Sequence, residues 1–189
     1  MKVKKGILIV FEGIDGSGKS TQVQILKKIL ADKNLDVIIF REPSQSPWGQ
    51  KIRENAAFSD SLTPQEELDL FVKDRKDNVQ KNIKPALARN KIVLLDRYYF
   101  STIAYQGAKG IDVVKIRTLN EKFVVRPDMV FILDVDAEKG LQRIQGRKNK
   151  DLLFERQDFL VDVRKIFKSF QGDNIFHIDS EKTPDEISD

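Results

Sequence analysis

The chain has 189 residues, a formal net charge of +4, 40% hydrophobic and 33% charged residues, and no cysteine. That length supports a sizeable core and is read as one domain spanning 1–189, while the absence of cysteine excludes disulfides and thiolate metal sites. No apolar run reaches the roughly 20 residues of a membrane span, and the basic start Met1–Lys5 leads into a strand-length segment instead of a signal-peptide core. The expectation is therefore a cytoplasmic protein without a membrane partner. The mild positive charge suits an anionic ligand as well as a nucleic acid.

In chain order, Gly6 to Phe11 is a short apolar run of the buried-strand type. After a glycine-rich turn, Val23, Leu26, Ile29 and Leu30 recur at helical spacing. Val37 to Phe40 predicts a second strand. Pro64 to about Asn82 predicts a long helix, with Thr63 as cap and Glu66 three residues on. Ile92 to Leu95 is a third strand and Met129 to Val135 a fourth. A helix from Ala137 to about Gly146, an irregular stretch from Arg147 to Leu152, and a helix from Glu155 to Phe170 precede a fifth strand at Ile175 to Ile178. Buried runs separated by helices predict an α/β protein, a five-stranded parallel sheet with helices on both faces.

The turn between the first strand and first helix reads Gly13-Ile14-Asp15-Gly16-Ser17-Gly18-Lys19-Ser20-Thr21, which contains the G-x-x-x-x-G-K-[ST] phosphate loop. Glycines let successive backbone N–H groups point inward, and the helix start adds partial positive charge. Gly13, Ile14, Asp15, Gly16, Ser17, Gly18, Lys19, Ser20 and Thr21 are thus predicted to hold ATP phosphates. Lys19 reaches the β- and γ-phosphates and Ser20 offers its hydroxyl to Mg²⁺. The third strand ends at Asp96-Arg97, where a carboxylate can hold Mg²⁺ or its waters and an arginine can clamp a phosphate. The fold expectation becomes that of a P-loop NTPase. His177, the one histidine, sits on a strand pattern and is read as structural.

Arg41-Glu42-Pro43 follows the second strand, Phe71-Val72-Lys73-Asp74-Arg75 lies on the long helix, and Asp96-Arg97-Tyr98 through Ala104-Tyr105-Gln106-Gly107 follows the third. With Phe11-Glu12-Gly13 and the phosphate loop, this order resembles the thymidylate kinase family of nucleoside monophosphate kinases, from about Gly6 to about Ser180. The resemblance implies transfer of the γ-phosphoryl of Mg-ATP to dTMP, giving dTDP and ADP. It implies that Asp15 lies near the acceptor sugar and that Arg41, Arg53 and Arg97 surround the acceptor phosphate. It implies that Phe71 stacks on thymine and Arg75 bonds its O4, with Thr102 and Gln106 at the base and Tyr105 against the sugar. Arg143 to Lys150 resembles the family's lid, at about 143–154; among Arg143, Arg147, Lys148 and Lys150, the expected catalytic cation is Arg147, with help from Arg143 or Lys150. A homodimer is implied as well, with no stable nucleic-acid binding. Two departures stand out: Ser44-Gln45-Ser46 replaces the usual glycines after Arg-Glu-Pro, and Leu153 stands where the lid usually has arginine. A kinase for another nucleoside monophosphate, or a nucleic-acid-associated NTPase, is the alternative on the residues alone.

Overall fold

The computed structural model describes residues 5–58, 62–144 and 150–188. Five strands, β1 (Ile7–Glu12), β2 (Val37–Arg41), β3 (Ile92–Asp96), β4 (Met129–Asp134) and β5 (Ile175–Asp179), form one sheet in the order β2-β3-β1-β4-β5. Every pairing is parallel, as runs apolar on both faces require. Alternate residues of β1 and β3 part to opposite faces. Leu8, Val10, Val93 and Leu95 join one core cluster; Ile9, Phe11, Ile92 and Leu94 join the other.

Helices cover both faces. α1 (Lys19–Asp32) brings Val23 to the second cluster. On the first cluster lie α3 (Pro64–Asn78), α5 (Tyr99–Ala108), α6 (Val113–Glu121) and α8 (Lys150–Ser169), through Leu68, Ile103, Ile116 and Phe167. α2 (Pro47–Phe58) packs on α3, and α4 (Lys84–Ala88), α7 (Ala137–Ile144) and α9 (Pro184–Ser188) complete the set among the described residues. Truncating a fully buried residue such as Leu94 would cost about 2–5 kcal/mol.

The predicted Thr63 cap is present: Thr63 Oγ1 accepts from Glu66 N, and Thr63 N donates to Glu66 Oε2. The long helix does not end at Asn82. It passes through a π turn at Val79–Ile83, where Lys84 N–H reaches back to Val79 O, and continues as α4. The wider turn relieves the clash that the Pro85 ring would make with the carbonyl four residues earlier. The stretch from Arg147 to Leu152 is not irregular throughout, because α8 starts at Lys150; residues 145–149 lie outside the described residues. α2, α5, α6 and α9 are not among the helices expected from the sequence. In α5 seven of ten residues are buried, among them the polar Ser101, Thr102 and Gln106.

The chain leaves β1 toward β2 and leaves β3 toward β4, so the direction of winding reverses between the adjacent strands β1 and β3. The crevice beyond the carboxyl ends of strands at such a reversal is where ligands bind. Phe11, Asp96 and Arg41 lie side by side in register at that edge.

Candidate active site

Two chambers open there and share Asp15, Arg41 and Arg97. The first is built on the phosphate loop. Gly16 has φ 78°, and a Cβ there would lie 2.0 Å from the Gly140 carbonyl oxygen of α7. Gly13, at φ 136°, would drive a Cβ to 2.4 Å from Leu133 O. The loop therefore rests directly on the backbone of β4 and α7, and only glycine fits. Lys19 is buried and folds over the loop, with Nζ donating to Gly13 O at 3.1 Å, Ile14 O at 2.7 Å and Ser17 Oγ at 3.2 Å. Burial, helped by the nearby Arg97 charge, pushes its ammonium down to about 7, against the pull of Asp15, Asp96 and Glu12. Ile14 contributes backbone only, since its side chain belongs to the core.

Ser20 Oγ donates to Asp96 Oδ2 at 2.5 Å, and Arg41 Nε stands 3.9 Å from the same oxygen. The other oxygen, Asp96 Oδ1, is buried and has no hydrogen-bond partner among the described residues. An orphaned buried carboxylate oxygen beside a hydroxyl fits a hard divalent cation or its water shell. No cluster of three or more His, Cys, Asp or Glu able to hold a metal occurs among the described residues, so any ion here would need ligand oxygens as well.

Arg143 of α7 lines this chamber, with Nη1 donating to Gly16 O at 3.3 Å and Nη2 to Ser180 O at 3.0 Å. The far wall is Ser180, Lys182, Pro184 and Ile187, none of them among the predicted site residues. Thr183 and Glu186 form a capping box there, a pattern visible in sequence as T-x-x-E. Arg147 lies outside the described residues.

The second chamber has a volume of about 460 Å³. Arg75 is almost completely buried and committed to protein partners. Its Nε donates to Glu42 Oε2 at 2.7 Å, Nη1 to Asn120 Oδ1 at 2.7 Å and Nη2 to Thr102 Oγ1 at 2.9 Å, while Nη2 also pairs with Glu42. Glu42 is buried too; desolvation raises its carboxyl, with Arg75 and Asn78 holding it back. Thr102 is thereby a partner of Arg75. Gln106 Nε2 donates to Glu67 Oε2 at 3.0 Å, which fixes the amide orientation, because a flip would set oxygen against carboxylate. Gln106 Oε1 is left buried without a partner and belongs to the chamber wall. Phe71 is half-buried, joins neither core cluster and lines the chamber.

Arg97 joins the chambers. Nη2 donates to Asp15 Oδ1 at 2.6 Å and its guanidinium lies 5.2 Å from the Tyr105 ring centre. Tyr105 OH accepts from Asp15 N at 3.2 Å, and burial, against the opposing charge of Arg97, pushes the phenol up to about 12. Arg53, on α2, donates to Ser44 O at 2.7 Å. The departure at Ser44-Gln45-Ser46 has a structural purpose. Ser44 Oγ and Ser46 Oγ both donate to buried Asp74 Oδ1, and Ser46 Oγ accepts from Trp48 N and Gly49 N at the start of α2. The hydroxyls thus fasten α2, and with it Arg53, to α3. His177 lies away from both chambers, its Nε2 2.8 Å from Phe170 O. Of the predicted residues among the described ones, all but Gly13, Ile14 and Asp96 line one of the two chambers. Glu42, Asn120, Asp74 and Glu67 were missed, because only their partners show that they hold the site.

A five-stranded parallel sheet with a phosphate loop opening on one chamber and a second chamber beside it defines a P-loop α/β protein. A sequence model of thymidylate kinase matches residues 11–189. Thymidylate kinase of Brachyspira hyodysenteriae is 44% identical over 185 residues, covering 98% of this chain and 91% of that protein. That of Akkermansia muciniphila is 44% identical over 185 residues, covering 98% and 89%. A probable thymidylate kinase of Archaeoglobus fulgidus is 41% identical over 183 residues, covering 97% and 91%. The chain belongs to the thymidylate kinase family.

Proposed function

We propose that the protein transfers the γ-phosphoryl group of Mg-ATP to dTMP, giving dTDP and ADP. The observation that carries the choice of base is Gln106 Oε1. A buried acceptor without a donor is costly, and a base that presents an N–H donor relieves it. The N3–H of thymine is such a donor; N3 of cytosine is an acceptor and would leave the amide oxygen unpaired. Phe71 gives the ring a face to stack on, and Arg75, held by Glu42, Asn120 and Thr102, presents its remaining N–H to O4.

The acceptor phosphate would lie among Arg41, Arg53 and Arg97, and Asp15 and Tyr105 would meet the sugar. Because that phosphate is already an anion, the reaction needs positioning and charge neutralisation more than a general base. Lys19 would leave the loop carbonyls for the γ-phosphoryl, where its charge is restored by the anion. Mg²⁺ would be held at Ser20 and Asp96 and would neutralise phosphate charge. The lid cation would come from Arg143, already bonded to the loop, or from Arg147; Arg143→Ala and Arg147→Ala assayed side by side would decide by which one lowers kcat. The family resemblance supports a homodimer, testable by sedimentation, and the absence of cysteine agrees with a cytoplasmic location. Among the described residues no helix is long and apolar enough to cross a membrane.

The deciding experiment is ADP production from ATP and Mg²⁺ with a panel of nucleoside monophosphates. dTMP should be the best acceptor. Turnover that no monophosphate stimulates, but DNA does, would overturn the reading.

A further inference from the structure

Glu12 follows Phe11 in the first motif and is used by neither chamber. It is fully buried at the end of β1, where an unpaired carboxylate would be costly. Its partners lie far along the chain. Oε1 accepts from Tyr98 N at 2.7 Å and Ser101 N at 3.2 Å, and Oε2 accepts from Ser101 Oγ at 2.5 Å. These groups start α5, whose N-cap Tyr98 supplies no side-chain cap of its own. A helix start has backbone donors with no partner inside the helix, and a carboxylate suits both those donors and the helix dipole. Glu12 thus caps α5 from another strand.

The connection goes one step further. Ser101 Oγ, while donating to Glu12, accepts from Arg97 Nη1 at 2.9 Å. Arg97 has φ 70°, a left-handed backbone that costs a non-glycine residue energy and persists only where its surroundings hold it. Its N–H bonds to Phe11 O, beside Glu12. We infer that Glu12 is a positioning residue for the acceptor: through Ser101 it sets Arg97, and by capping α5 it sets Thr102, Tyr105 and Gln106. Burial pushes its carboxyl up to about 7, while the Ser101 hydroxyl, Arg97 and the two N–H donors favour the ionised form. The other ionisable groups that sense it are Lys19 from α1 and Tyr99 from α5.

This inference rests on the reading of the second chamber as the dTMP site. The test is titration calorimetry of dTMP and of Mg-ATP, separately, on the wild type, Glu12→Gln, Glu12→Ala and Ser101→Ala. Glu12→Gln should weaken dTMP about tenfold to a hundredfold, the worth of a charged hydrogen bond, and weaken Mg-ATP clearly less, since Lys19 senses Glu12 only through its charge and Arg97 is one of many groups lining that chamber. Glu12→Ala should weaken it more, since the glutamine carbonyl still accepts from Tyr98 N. If the Glu12 variants do not fold, Ser101→Ala carries the test: it keeps both backbone bonds, cuts the link to Arg97, and should weaken dTMP about tenfold. A purely structural role would not separate the two ligands. Unchanged dTMP affinity in Glu12→Gln, or in Ser101→Ala where that variant carries the test, or equal loss of both ligands, overturns the inference. Failure of the wild type to bind dTMP overturns the acceptor reading and this inference with it.

Discussion

On the phosphate-loop side, half of the chamber wall comes from one unbroken segment, Asp15 to Gln22, with Gly16 set against the backbone of α7. On the acceptor side, Arg75 alone needs Glu42 from the loop after β2, Thr102 from α5 and Asn120 from α6. The first chamber is a local backbone device whose lysine is bonded to the loop's own carbonyls. The second is a side-chain lattice already locked before any ligand enters. Phosphate binding tolerates any base attached to it, so a generic loop suffices. Choosing a base requires polar groups that cannot turn to suit another one, which only a buried network provides.

The largest expected effect attacks the lattice. Arg75→Ala leaves Glu42 buried without its cation and should cost about 3–5 kcal/mol of stability, read from denaturant midpoints. A loss typical of a surface residue would mean that the lattice does not hold the chamber. Next is the donor side: Lys19→Ala should lower kcat about 10²–10³-fold in a protein that remains folded. Near-full activity would remove the phosphate loop from the chemistry.

A smaller effect probes selectivity. dCMP should be poorer than dTMP in kcat/KM by about tenfold to a hundredfold, for a penalty of about 1–3 kcal/mol per unpaired group. Gln106→Ala should narrow that gap, by removing the orphaned acceptor. Equal turnover of dTMP and dCMP by the wild type would make the second chamber as permissive as the first.

The smallest effect concerns protons. Burial lowers the Lys19 ammonium to about 7, so at pH 8 the free protein holds this proton less tightly than an ordinary lysine would. Bound polyphosphate favours the ammonium, so ATP binding at pH 8 should take up a fraction of a proton, fading as pH falls below 7. Calorimetry in buffers of different ionisation enthalpy measures it, and Lys19→Arg should abolish it. The sign for stability follows from the same shift. The folded state binds fewer protons than the unfolded one between about 7 and the ordinary 10.5, so this group's contribution is present above 10.5 and lost as pH falls through 7.

How much was legible from the chain alone follows the same division. The five strands, their parallel arrangement and the phosphate loop were all readable, because each depends on a contiguous run: apolar strands, G-x-x-x-x-G-K-S, a helix with its capping box. The residues facing the acceptor were reached through resemblance, and their physical basis was not visible. Nothing local to Arg75 shows that Asn120, 45 residues later, satisfies it, nor that Glu12 caps a helix 86 residues away. α5 buries the polar Ser101, Thr102 and Gln106 along with its apolar residues, and the Ser44-Gln45-Ser46 departure acquires a reason only where Asp74 gathers both hydroxyls. Sequence pattern determines which segments become strands, helices and a phosphate-binding turn, since those preferences act over a few residues. Only the tertiary structure decides which buried polar groups find partners, because a buried donor or acceptor must be satisfied by whatever the fold brings within about 3 Å.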